Sequence, residues 1–146
     1  MAETKRAGSP FPDPKERCPA VLVVEDEVLI RLVIADYLRE CGFKVYEAGT
    51  ALEAIAVLES NKASIDLVFS DIRLPGDMNG FALAQWTRKN RPGLPVVLTS
   101  GDSKRSEAAK ALCENEPFFT KPYDVQLVVA QIRTIIEARS RKDGSD

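Results

Sequence analysis

Five short β-prone runs, each followed by a stretch with helical spacing or caps, constrain this chain more than any other feature. Ala20 to Val24 is continuously apolar, as a strand buried on both faces must be. Phe43 to Glu47 alternates. Leu67-Val68-Phe69 runs into Ser70-Asp71 and is closed by Pro75-Gly76. Leu94 to Leu98 is a fourth strand running into Thr99-Ser100-Gly101, and Phe118 to Thr120 is a short fifth. Between them the first helix is expected to end near Cys41, with Gly42 just past the cap. Thr50-Ala-Leu-Glu53 is a capping box that opens a helix to about Asn61. Further helices are expected over Phe81 to Asn90 and Ser103 to Cys113. A last one, capped by Asp124, carries Val125, Val128, Val129, Ile132, Ile135 and Ile136 at helical spacing. Strands alternating with helices predict an α/β fold: a parallel sheet covered on both faces, with five strands and five helices in three layers. The alternation leaves the strand order open.

A chain of 146 residues fits one domain with a sizeable core. Pro10, Pro12, Pro14 and Pro19 among Gly8, Ser9 and charges mark residues 1–19 as a flexible leader. The domain is expected over 20–138 and a polar tail over 139–146. Twenty basic residues interspersed with twenty-two acidic ones form no basic block for nucleic acid and no polybasic membrane patch. The richest apolar stretch, Val28 to Ala35, is broken by Arg31 and too short to span a membrane. Met1 to Arg6 has charges but no apolar core behind it, so it does not read as a secretory signal. Cys18, Cys41 and Cys113 are odd in number and lack metal-site spacing, which points to reduced thiols and a cytoplasmic protein. With no histidine in the chain, histidine acid–base catalysis and histidine metal ligation are excluded.

In a parallel sheet the carboxyl ends of the strands share one edge, where such folds bind ligands. Strand one ends in Glu25 and Asp26, strand three in Asp71, strand four in Thr99 and Ser100, strand five in Lys121. Singly, each has an ordinary explanation: an acid after a strand serves as a turn former or cap, and a lysine as a solvated surface group. Four such endings on four strands are much harder to dismiss. Three converging carboxylates repel one another unless a cation sits among them, and Mg²⁺ suits hard oxygen donors of this kind. A lysine and a hydroxyl beside them suit a transferring phosphoryl group, and a carboxylate is a competent nucleophile for it.

On these residues the chain resembles the receiver domain of two-component response regulators. The resemblance rests on Val-Leu-Val-Val-Glu-Asp-Glu (21–27), Asp-Leu-Val-Phe-Ser-Asp-Ile-Arg-Leu-Pro-Gly (66–76), Leu-Thr-Ser-Gly (98–101) and Phe-Phe-Thr-Lys-Pro-Tyr (118–123). It implies a flavodoxin-like, doubly wound sheet of order 2-1-3-4-5, which removes Glu47 from the site. It further implies Asp71 as phosphate acceptor, with Asp26, Asp71 and the Arg73 backbone carbonyl as Mg²⁺ ligands and Glu25 acting through water. Thr99 and Lys121 would contact the phosphoryl group, Thr99 and Phe118 would form the switch, and Lys121-Pro122 would be cis. Two departures stand out. The loop Pro75 to Gly80 is one residue longer than usual and adds Asp77, and Asn115-Glu116-Pro117 replaces the common Gly-Ala.

The resulting expectation is a stand-alone receiver rather than a conventional enzyme, assisting its own phosphorylation and dephosphorylation. The phosphoryl group would come from a sensor histidine kinase or histidine phosphotransfer protein. Output would pass through residues 103 to 136 to an unknown downstream protein or to a second copy in a homodimer. A flavodoxin-like adaptor that is never phosphorylated is the competing reading, and the presence of every acceptor-site group argues against it. Three acids after strand one would repel a flavin phosphate, and no Walker loop is present.

Overall fold

A strand without polar residues is stable only where both its faces are covered, and Ala20–Val24 (β1) is buried at all five positions. The computed structural model describes residues 18–60, 64–101 and 118–144. The expected leader up to residue 17, the expected helix from Ser103 to Cys113, and Cys113 itself lie outside the described residues. After β1 come α1 (Val28–Glu40), β2 (Lys44–Ala48), α2 (Ala51–Glu59), β3 (Leu67–Asp71) and α3 (Gly80–Asn90). Then follow β4 (Val96–Ser100), β5 (Phe118–Thr120) and α4 (Val125–Gly144). The strands form one parallel sheet in the order β2-β1-β3-β4-β5, the doubly wound order implied above.

Alternate residues of each strand feed opposite faces of the sheet, so one sheet supports two apolar layers. Leu22, Val24, Val68 and Leu98 pack with Ala54 and Leu58 of α2 and Leu83 and Ala84 of α3. Val21, Val23, Phe69 and Val97 pack with Ile34 and Leu38 of α1 and Val128 and Ile132 of α4. The helical stripe expected on the last helix is therefore its buried face, with Val125, Ile135 and Ile136 at the margin of the same layer.

Local signals set most boundaries. Gly42 takes φ +96° after α1, a conformation that suits glycine. The Thr50 hydroxyl accepts the Glu53 amide at 3.0 Å. The Glu53 carboxylate, however, accepts the Gly49 amide at 2.8 Å instead of closing on Thr50. Asn79 caps α3 through the Ala82 amide at 2.9 Å, and Asp124 caps α4 through Gln126 at 2.9 Å. The fourth strand begins two residues later than expected. Pro95 has no N–H for the ladder and contributes only its carbonyl, which accepts the Val68 amide at 3.0 Å. The shift draws Thr99 and Ser100 into the strand. The last helix continues to Gly144, six residues past the expected domain boundary at 138.

Candidate functional site

The parallel ladder delivers the strand ends to one edge in register. Asp71, the last residue of β3, pairs with Thr99 of β4, so the carboxylate and the hydroxyl sit on adjacent strands. Glu25 directly follows β1, where its amide donates to the Ala48 carbonyl at 3.0 Å. Asp26 is exposed, while Glu25 and Asp71 are buried. Carboxylate oxygens of all three lie within 4.8 Å of one another. Lys121 follows β5; its amide donates to the Ser100 carbonyl at 2.8 Å, and its peptide bond to Pro122 is cis, as the resemblance implied.

The Lys121 ammonium lies between two of the acids, donating to Glu25 Oε1 at 2.6 Å and to Asp71 Oδ2 at 3.1 Å. Asp71 Oδ1 faces the Arg73 amide at 3.4 Å, and the Ser70 hydroxyl donates to the Asp71 backbone carbonyl at 2.8 Å. Glu25 Oε2 accepts the Glu27 amide at 3.3 Å. Burial pushes the Glu25 carboxyl up to about 7 and the charge of Asp71 adds to this, against the hydrogen bond and charge of Lys121. Burial pulls the Lys121 ammonium down, but the bond to Glu25 and the charges of Asp71 and Glu25 more than offset it, so it stays protonated. The single lysine charge balances three acids only in part. Hard oxygen donors with one exposed member and an excess of negative charge are a fitting donor set for a divalent cation.

A pH dependence follows. Because the Glu25 carboxyl lies above its ordinary value, it is protonated below about pH 7 in the metal-free protein and ionised above it. Carbon-detected NMR of the Glu25 carboxyl should show a midpoint near 7, and added Mg²⁺ should lower it because the cation favours the ionised form. A midpoint near 4.5, insensitive to Mg²⁺, would contradict this electrostatic account.

Two aromatic side chains flank this edge, and two further acids stand apart from the trio. Phe118 is half-buried, pairs with Leu98 in the ladder, and packs on the layer facing α2 and α3. Tyr123 lies edge-on to Phe69 at 5.9 Å and to Phe119 at 6.5 Å; burial first of all pushes its hydroxyl up to about 12, so it remains protonated. The only signal for it in the sequence is an aromatic placed after Lys-Pro. Asp77 is exposed and outside the acidic trio, beside the start of α2. Glu47 is outside the trio as well, paired with Arg31 and Arg39.

Gly80 sits where no local sequence signal marks a close approach. Its amide donates to the Ile72 carbonyl at 2.7 Å, and a Cβ there would fall 2.3 Å from the Asp71 carbonyl oxygen. The start of α3 is thus pressed directly against the strand end that carries Asp71.

The carboxyl edge of a doubly wound parallel sheet thus gathers three acids and a lysine, with Thr99 opposite Asp71 on the neighbouring strand. Residues 21–133 match the response regulator receiver domain family, and the chain belongs to that family. Phosphorylation and magnesium are typical of the family, and receiver domains, generally not conventional enzymes in themselves, interact with histidine kinases or phosphotransfer proteins. The probable transcriptional regulatory protein TcrX of Mycobacterium tuberculosis is 32% identical over 117 residues, covering 80% of this chain and 49% of that protein. The sensor histidine kinase RcsC of Escherichia coli is 32% identical over 123 residues, covering 84% of this chain and 12% of that protein. A crystal structure of a response regulator receiver domain protein from Clostridium thermocellum superposes with a TM-score of 0.75 at 25% identity, covering 84% of this chain and 97% of that one. The chain spans half or less of the length of the first curated relatives it matches. Among the described residues no helix is long and apolar enough to cross a membrane.

Proposed function

We propose that this receiver accepts a phosphoryl group on Asp71 from a phosphohistidine of a sensor histidine kinase or histidine phosphotransfer protein, in a reaction that requires Mg²⁺. The observation that carries the reading is the Lys121 ammonium bonded to both Glu25 and Asp71 within the acidic trio. An Asp71 carboxylate oxygen attacks phosphorus, the P–N bond to the donor imidazole breaks with its electron pair leaving on nitrogen, and an acyl phosphate forms. Lys121 and the Thr99 hydroxyl steady the phosphoryl oxygens. Asp26, Asp71 and the Arg73 carbonyl would hold Mg²⁺ directly and Glu25 through water. When bound, Mg²⁺ supplies charge neutralisation at the transferring group. Glu25 and Asp71 lose their shared lysine contact as Lys121 turns to the phosphoryl group. Inward movement of Thr99 makes room for Phe118 to rotate, and the equilibrium shifts toward a state whose altered surface binds a downstream protein or a second copy. Free thiols at Cys18 and Cys41 support a cytoplasmic setting. Intact mass after treatment with acetyl phosphate tests the reading: one phosphoryl adduct is expected with Mg²⁺ and none with chelator. No adduct under either condition would refute it.

The donor histidine lies outside these 146 residues, which contain none. We propose that it docks over the exposed apolar side of α1. Val28, Leu29, Leu32 and Val33 are 41–78% exposed and follow directly on Asp26 and Glu27, beside a groove that reaches Lys121 and Tyr123. A contiguous apolar patch at the rim of a charged site fits a protein partner. Leu29→Asp is expected to slow transfer from a phosphohistidine protein that labels the wild type by about tenfold, the effect of about 1.4 kcal/mol lost at a contact. Labelling by acetyl phosphate should be unchanged. Equal losses with both donors would place the defect in the site rather than in docking.

A further inference from the structure

We infer that Arg31 and Glu47 form a positioning brace that fixes the peptide joining Glu25 to Asp26, and with it the direction in which Asp26 faces Asp71. The inference rests on the reading of the acidic trio as the Mg²⁺ and phosphoryl site. Glu47 stands on the edge strand β2, outside the trio, yet its carboxylate is held at both oxygens by α1. Arg31 Nε donates to Oε1 at 3.2 Å and Arg39 Nη2 to Oε2 at 3.1 Å. Arg39 is anchored in turn on the Val45 carbonyl at 3.1 Å. With Nε engaged, the planar guanidinium of Arg31 points Nη1 at the Glu25 backbone carbonyl, 2.7 Å away. This is a short, charge-assisted bond, and the side chains of Arg31 and Glu47 are only 20% and 25% exposed, so water screens the pair less than a surface pair.

The location of the brace distinguishes it from a general helix-to-sheet tie. The amide of Glu25 is already bonded to Ala48. The carbonyl of Glu25 belongs to the next peptide plane, the one that carries Asp26, and it accepts from Arg31. Releasing that carbonyl frees the plane to rotate and swings the exposed Asp26 carboxylate relative to Asp71. Among the described residues, no hydrogen bond or ion pair holds the Asp26 side chain itself. Groups that orient metal ligands from outside the coordination shell typically change affinity by about 10–100-fold when removed.

The test compares Mg²⁺ affinity by calorimetric or NMR titration with the urea midpoint of each variant. Arg31→Met should bind Mg²⁺ about tenfold more weakly and Glu47→Gln about threefold, the lower end and a fraction of the range for orienting groups. The double variant should be no weaker than Arg31→Met alone, because the two residues act through one bond. Arg31→Lys should not restore affinity, since an ammonium lacks the planar fork that serves Glu47 and the carbonyl together. Asp26→Asn is the reference. If it binds Mg²⁺ like the wild type, the reading of the trio fails and the brace falls with it. If it loses binding while folded Arg31→Met keeps wild-type affinity, the brace alone is overturned. Should Arg31→Met not fold, unchanged affinity in Glu47→Gln overturns it equally.

Discussion

Asp71→Asn is expected to take up no phosphoryl group from acetyl phosphate and Mg²⁺ under conditions that label the wild type with one. The amide is isosteric but has no anionic oxygen to attack phosphorus, so the nucleophile itself is removed. Neither neighbouring acid is a substitute. Glu25 is buried, holds Lys121 at 2.6 Å, and lies near half-protonation at neutral pH. Asp26 is exposed, and Thr99 stands opposite Asp71 in the ladder, not opposite β1. The fold should survive the change, because Lys121 keeps Glu25 as a partner. Loss of labelling can then be separated from unfolding by a thermal melt on the same sample. A linked result is also expected: without the Asp71 charge, Glu25 should titrate lower than in the wild type, since that charge is one of the causes that raise it. Undiminished labelling of a folded Asp71→Asn would put the acceptor elsewhere.

How far the sequence reveals this site depends on which interactions place each residue. Glu25, Asp71 and Lys121 are legible because each closely follows an apolar run, directly or after one hydroxyl residue, and parallel pairing then carries the run ends to one edge. The sequence alone left the strand order open, and the order came from the resemblance. Thr99 is expected just beyond its strand. It lies within β4 because Pro95, which cannot donate to the ladder, delays the start of pairing. The capping box is legible as a local pattern, yet Glu53 closes on Gly49 instead of Thr50. Arg31 looked like an interruption of an apolar run. Its task is visible only when β2 brings Glu47 beside α1, a contact between residues sixteen apart with no local signature. Gly80 belongs to the same class, since nothing in Met-Asn-Gly-Phe shows how closely a strand end will pass.

Gly80→Ala is expected to destabilise the protein by about 2 kcal/mol or more, against the usual direction of such a change. Glycine inside a helix ordinarily costs about 1 kcal/mol relative to alanine, and a Cβ at the start of α3 would recover at most that amount. Here the added Cβ would lie 2.3 Å from the Asp71 carbonyl oxygen, 2.7 Å from Ile72 Cα and 3.0 Å from the Asp71 carbonyl carbon. All three are backbone atoms of the β3 end, so no side chain can swing aside to relieve the contact. Relief requires α3 to back away, which stretches the 2.7 Å bond from the Gly80 amide to the Ile72 carbonyl and opens the layer around Leu83 and Ala84. Overpacking of this kind costs about 1–3 kcal/mol and sometimes more, enough to outweigh the helical gain. The same displacement pulls on the peptide that carries Asp71, so phosphoryl uptake should slow as well. Gly101→Ala is the control: among the described residues no atom lies within 4 Å of its Cβ position and its φ is not positive, so it should stay within about 0.5 kcal/mol of the wild type. Urea unfolding of the three proteins decides the matter. If Gly80→Ala matches or exceeds the wild type in stability, the close approach of α3 to the Asp71 backbone is wrong, and with it the account of how that carboxylate is held in place.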